Sequence, residues 1–151
     1  MPLWKIYHPV GAFSLEDKKG LSEAITALYA RGLPKFYVGV VFQEVAADSF
    51  FIGGEGVDNF VRIWIDHIAR TMPTPEIRAR FIQMVDEALA PYVRDRGLNW
   101  EYHIDETSYE LWSIQGYRPP LPGTEDEIRW RTENQPSPVG PREEWVRTHR
   151  L

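Results

Sequence analysis

The chain has 151 residues, enough for one domain with a real core, and it contains no cysteine. That excludes a disulfide scaffold, a thiol nucleophile and any cysteine-ligated metal. The net charge of -5 argues against nucleic acid or an anionic membrane as partner, and no apolar run resembles a leader or a membrane span, so a soluble cytoplasmic protein is expected.

Residues 3–7 (LWKIY) are rich in β-formers and predict a strand that opens close to Pro2. Ser14, with Asp17 three residues on, makes a helix start. Leu21, Ala24, Ile25 and Leu28 then fall on one face until Gly32 and Pro34 stop the helix. Residues 36–44 (FYVGVVFQE) are apolar along most of their length and predict a strand buried on both faces. FFIGGEG holds glycines suited to a turn or bulge, and 60–68 (FVRIWIDHI) predicts another strand.

Thr74-Pro75-Glu76 combines a capping hydroxyl, a first-turn proline and an acid at the positive end of a helix dipole. Ile77, Phe81, Val85, Ala88, Leu89 and Tyr92 mark the apolar stripe of that helix, and Gly97 ends it. Residues 99–104 (NWEYHI) predict the last strand. Beyond it the chain reads as loop, because GYRPPLPG is too proline-rich for a central strand. The expected division is a domain over 1–131 and a C-terminal arm or tail over 132–151, polar except for Val139, Trp145 and Val146.

This order, strand-helix-strand twice over, predicts an α+β fold. Two right-handed β-α-β units would build one four-stranded sheet with both helices on one face. The opposite face would then be bare, and strands this apolar predict self-association through it.

Few familiar catalytic patterns are present. GGEG lies between strands rather than opening a helix, so it is not a phosphate cradle, and no Gly-x-Ser-x-Gly elbow occurs. His8, His67, His103 and His149 are scattered, and metal binding is not expected. Pro2 stands apart. Removal of Met1 before a small residue would leave a secondary amine at the start of a strand. In an apolar pocket its ammonium form loses hydration and its pKa falls, making a base near neutral pH. The plain alternative is a first-strand proline with no chemistry.

The opening PLWKIY, AITALY (24–29), FQE (42–44) with FFIGG (50–54), IWIDHIAR (63–70), WEYH (100–103) and GYRPPLPG (116–123) together resemble the tautomerase superfamily. The order and spacing are similar to its long members grouped with cis-3-chloroacrylic acid dehalogenase, over about residues 2–130. ELWSIQGYRPPLPGTEDEIRW is more similar to the fungal-type relatives than to the dehalogenase. The resemblance implies a trimeric barrel assembly (a homotrimer), an amino-terminal proline as the catalytic group, a small carboxylate substrate and no cofactor.

Carried over residue by residue, it implies Pro2 as the catalytic proline, Arg70 as a carboxylate-binding arginine and Tyr102 as a tyrosine that positions or activates water. The dehalogenase's helix histidine is replaced by Tyr29 and its second arginine by Pro73. Its water-activating glutamate falls in the Ile114-Gln115 region, where the nearest acid is Glu110. Trp112, in the same late stretch, is a candidate for the pocket wall. Three readings follow. In the first, a tautomerase, Pro2 moves a proton on a 2-oxo acid or its enol while Arg70 holds the carboxylate and Tyr29 or Tyr102 donates to the enolate oxygen. The second is a hydratase or hydrolytic dehalogenase of 3-substituted acrylic acids, weakened by the missing arginine and glutamate. The third is a silent trimeric binding or structural protein.

Overall fold

The structure, a computed structural model, describes residues 1–68 and 70–140, so the arm residues Trp145 and Val146 lie outside the described residues. Strand β1 (Pro2–Pro9) alternates strictly: Pro2, Trp4, Ile6 and His8 are buried, while the residues between them are half-exposed. Helix α1 (Leu15–Tyr29) follows a reciprocal cap. The Asp17 amide donates to the Ser14 hydroxyl (3.1 Å), and the Ser14 amide donates to the Asp17 carboxylate (2.9 Å).

Strand β2 (Gly39–Val45) returns parallel to β1, with Leu3 opposite Gly39. A small hairpin, β3 (Phe51–Ile52) and β4 (Glu55–Gly56), turns at Gly53 and Gly54, whose φ of +61° and +88° are what a two-residue hairpin turn requires. Strand β5 (Phe60–Ile68) runs antiparallel to β1. Helix α2 (Pro75–Leu89) is capped by Thr74, and β6 (Asn99–Thr107) lies parallel to β5.

The four-stranded sheet has the order β2-β1-β5-β6, two β-α-β units joined through the antiparallel β1–β5 pair. Both helices cover one face. Leu21 and Ile25 of α1 and Val85 and Leu89 of α2 meet Trp4, Ile6, Val61, Ile63 and Ile65 in the main core. The expected α+β architecture is the observed one.

Three local expectations change. Phe36 and Tyr37 belong to a single helical turn (Lys35–Tyr37) rather than to a strand, and β2 is an edge strand with Val41 half-exposed; its apolar run covers one face of the sheet only. The bare sheet face is less apolar than expected. Lys5 pairs with Asp66 (3.2 Å) and lies over the Trp64 ring, and Arg62 pairs with Glu101 (3.6 Å). Last, the stretch beyond β6 is not all loop, because helix α3 (Glu125–Glu133) forms there. Its signal was Thr124 followed three residues later by Glu127, and the Glu127 amide does donate to the Thr124 hydroxyl. Trp130 of α3, with Leu33, Tyr37 and Trp112, makes a second apolar cluster at the end of the sheet where β1 begins.

Candidate active site

Met1 continues the β1–β5 register by one residue. Its amine donates to the Ile68 carbonyl (2.6 Å), and the Ile68 amide donates back to the Met1 carbonyl (3.0 Å). The next pair, Pro2 and His67, is therefore of the kind without mutual hydrogen bonds, in which facing side chains come closest. Alternation on β5 places His67 on the buried face after Val61, Ile63 and Ile65.

His67 is held by a short relay. Trp4 Nε1 donates to the Tyr29 hydroxyl (3.1 Å), which lies 2.8 Å from His67 Nε2. An indole can only donate, so the Tyr29 oxygen accepts from Trp4 and its hydroxyl is shared with His67 Nε2. Burial supports this arrangement: it pushes the His67 pKa down to about 4, against the pull of Glu106, and raises that of Tyr29. Phe81 of α2 closes the group edge-on to His67.

On the other side of Met1 stands the second cluster. The Met1 side chain packs among the residues that surround Tyr37 and Trp112, Tyr29 and Ile68 among them. Tyr37 is edge-on to Trp112, with ring centres 4.9 Å apart. Arg70, just beyond β5, is ion-paired with the buried Glu127 of α3, whose second oxygen accepts from the Gly123 amide (2.7 Å). The Met1 amine feels both charges. Burial and the Arg70 guanidinium push its pKa down to about 5, against the opposing pull of Glu127. The Met1 amine is thus held below its ordinary range by burial and by Arg70.

Of the residues singled out in the sequence, Pro2, Tyr29, Arg70 and Trp112 surround Met1. Tyr102 does not join them within one chain. It pairs with Ile63, four residues before His67 on β5 and so about 13 Å along the sheet. Its hydroxyl donates to Asp86 (2.7 Å), with the Ile82 carbonyl at 3.2 Å, and the ring lines a separate groove of about 450 Å³ with Met72, Arg78 and Glu106. Burial and then Asp86 raise its pKa.

Glu110 is not drawn inward either: it is exposed on a single helical turn, with its backbone carbonyl accepting from Arg118 (2.6 Å). The Ile114-Gln115 region is a tight turn closed by mutual Ile114–Tyr117 amide bonds, with Gln115 exposed at its tip. Three groups were overlooked in the sequence: His67, Glu127 and Tyr37. His67 was visible as the last member of the buried alternation on its strand, and Glu127 as the third residue of a capped helix. Among the described residues, no three His, Asp or Glu side chains converge as a metal site.

The fold has close counterparts among solved structures. The native RhCC protein of Rhodococcus jostii RHA1 is 46% identical over 91% of this chain and 99% of its own, with a TM-score of 0.88. A probable enzyme from the thermophilic fungus Aspergillus fumigatus is 42% identical over 92% of this chain and 98% of its own, with a TM-score of 0.87. N1, a member of the cis-3-chloroacrylic acid dehalogenase family, shares the fold at 19% identity, covering 87% of this chain and 97% of its own, with a TM-score of 0.67. No curated protein matches the chain. Over residues 1–135 the chain matches the family Tautomerase_3, described as "Putative oxalocrotonate tautomerase enzyme", and it belongs to that family and so to the tautomerase superfamily.

Proposed function

We propose that the chain, once Met1 is removed, is an amino-terminal-proline tautomerase acting on a small 2-oxo acid or its enol. The observation that carries this reading is the Met1 amine. It sits at the start of β1 between Arg70 and the Tyr29–His67 pair, in surroundings that strip its proton near neutral pH. The Pro2 amine exposed by trimming would meet similar burial and the same guanidinium, in the space vacated by Met1.

In the forward direction the Pro2 nitrogen takes a proton from C3 of the keto acid. The C–H electrons move to form the C2–C3 double bond, the carbonyl electrons move to O2, and the prolinium returns the proton to that oxygen. No co-reactant is consumed. Arg70, ion-paired with Glu127, would turn its guanidinium to the substrate carboxylate, with Trp112 as the wall. Burial keeps His67 neutral opposite Pro2. Hydration or dehalogenation is less well served. It needs a carboxylate to activate water; Glu110 is exposed, and both Glu127 oxygens already accept hydrogen bonds. The family resemblance adds a homotrimeric assembly to this reading.

The experiment has two parts. Mass spectrometry of purified protein is expected to show Met1 absent. Ketonisation of phenylenolpyruvate is then followed for wild type and Pro2→Ala, with a loss of at least about a hundredfold expected, the range of general-base catalysis. Equal rates, or retention of Met1, would sink the proposal.

A further inference from the structure

Three tyrosines stand near enough to the proposed chemistry or its sheet to have been candidates for the group that donates to the enolate oxygen. Tyr29 already shares its hydroxyl between Trp4 and His67, and Tyr102 donates to Asp86. Tyr37 differs from both. It is 1% exposed, and among the described residues its hydroxyl has no hydrogen-bond partner. A buried hydroxyl without a partner is an unfavourable arrangement that proteins rarely keep without a use.

The ring has little freedom. Phe36, Trp112 and Trp130 contact it at centroid distances of 5.0, 4.9 and 6.2 Å, all near perpendicular. The charges that act on the hydroxyl are Glu127 and Arg70, the two that also act on the Met1 amine. The Met1 side chain packs in the same cluster. The Tyr37 hydroxyl and the Met1 amine are thus acted on by the same two charges, and Tyr37 belongs to the cluster against which Met1 packs and which trimming would open.

We infer that Tyr37 is the oxygen-reading residue of the site, its hydroxyl donating a hydrogen bond to O2 of a 2-oxo acid as that oxygen gains charge, while the proton transferred to O2 comes from the prolinium. This rests on the tautomerase reading above and names the substrate class within it: a carboxylate with an oxygen on the adjacent carbon. The carboxylate meets Arg70 and the adjacent oxygen meets Tyr37, while Pro2 attends to C3. Burial, with Glu127 next, raises the Tyr37 pKa, so the hydroxyl keeps its proton at every working pH. A donor fixed by its neighbours needs no reorganisation when charge develops, and removing one such donor commonly lowers turnover about a hundredfold or more.

The test compares Met1-trimmed wild type, Pro2→Ala and Tyr37→Phe, reading ketonisation of phenylenolpyruvate together with calorimetric binding of oxalate, a stable mimic of an enolate beside a carboxylate. Tyr37→Phe is expected to lower kcat about a hundredfold with a much smaller change in KM, to weaken oxalate about tenfold or more, and to melt no lower than wild type, since only an unpartnered hydroxyl is lost. A purely structural Tyr37 would leave kcat and oxalate affinity unchanged, which overturns the inference while an inactive Pro2→Ala still upholds the tautomerase reading. If wild type and Pro2→Ala turn over equally, that reading fails, and oxalate binding still judges Tyr37. Absence of oxalate binding to wild type also overturns the inference.

Discussion

The burial of His67 beside Pro2 couples the site to stability. Its pKa falls from the ordinary 6.5 to about 4, chiefly through burial. The folded state therefore resists a proton that the unfolded chain accepts, so the contribution is complete above pH 6.5 and is lost as pH falls from 6.5 through 4. One such group is worth at most about 3 kcal/mol. Burial shifts His8 in the same direction, its Nε2 having no partner among the described residues, so the two histidines add. Urea unfolding at pH 7, 5 and 4 is expected to show stability declining across this window, and His67→Gln to flatten part of the decline. A slope untouched by the substitution would mean that His67 is not neutral in the fold. Glu127 makes the complementary point about sequence and site. Its place in a capped helix is local, but its pairing with Arg70 spans 57 positions and could not be read from spacing.

Helix α1 contains a glycine at position 20, an unfavourable choice inside a helix by about 1 kcal/mol relative to alanine. The reason lies on a neighbouring element. A Cβ at this position would stand 2.6 Å from the Tyr92 hydroxyl oxygen, whereas the next ring atom is at 3.7 Å, an ordinary contact. Gly20→Ala is accordingly expected to be neutral or destabilising in wild type, yet to gain up to about 1 kcal/mol in a Tyr92→Phe background, where propensity acts alone. Chemical denaturation of the four proteins in this cycle measures it; equal effects in both backgrounds would remove Tyr92 as the cause. The element boundaries show the same division of causes. Ser14 and Thr74 announced their helices locally, whereas the length of β2 follows from where Phe36 and Tyr37 are drawn into the second cluster.

For the molecule as a whole, exposed apolar groups occur on several elements, and among them are one edge of the sheet and the small hairpin. Val41 on β2 is 51% exposed, and Phe51 and Ile52 are 57% and 41% exposed. The bare sheet face is charged but internally paired, a surface suited to a wet interface rather than to a dry core. If the proposed homotrimer forms, light scattering will give three times the chain mass, and Val41→Lys will shift the population towards monomer. A wild-type monomer at micromolar concentration would remove the trimer from the proposal.

Local chemistry along the chain was enough for the order of the elements and the two capped helices, because caps, periodicity and turn glycines act over a few residues, whereas the candidacy of Pro2 came from the family resemblance. The pairing of Pro2 with His67 and the packing of Met1 and Tyr29 against the Tyr37 cluster depend on the β1–β5 register and on Trp130 from the far end of the described chain. Those contacts arise from burial and long-range packing, to which no spacing in the sequence corresponds. Residues such as Tyr102, next to the right strand but committed to Asp86, show how far a correct fold can still leave a site undetermined.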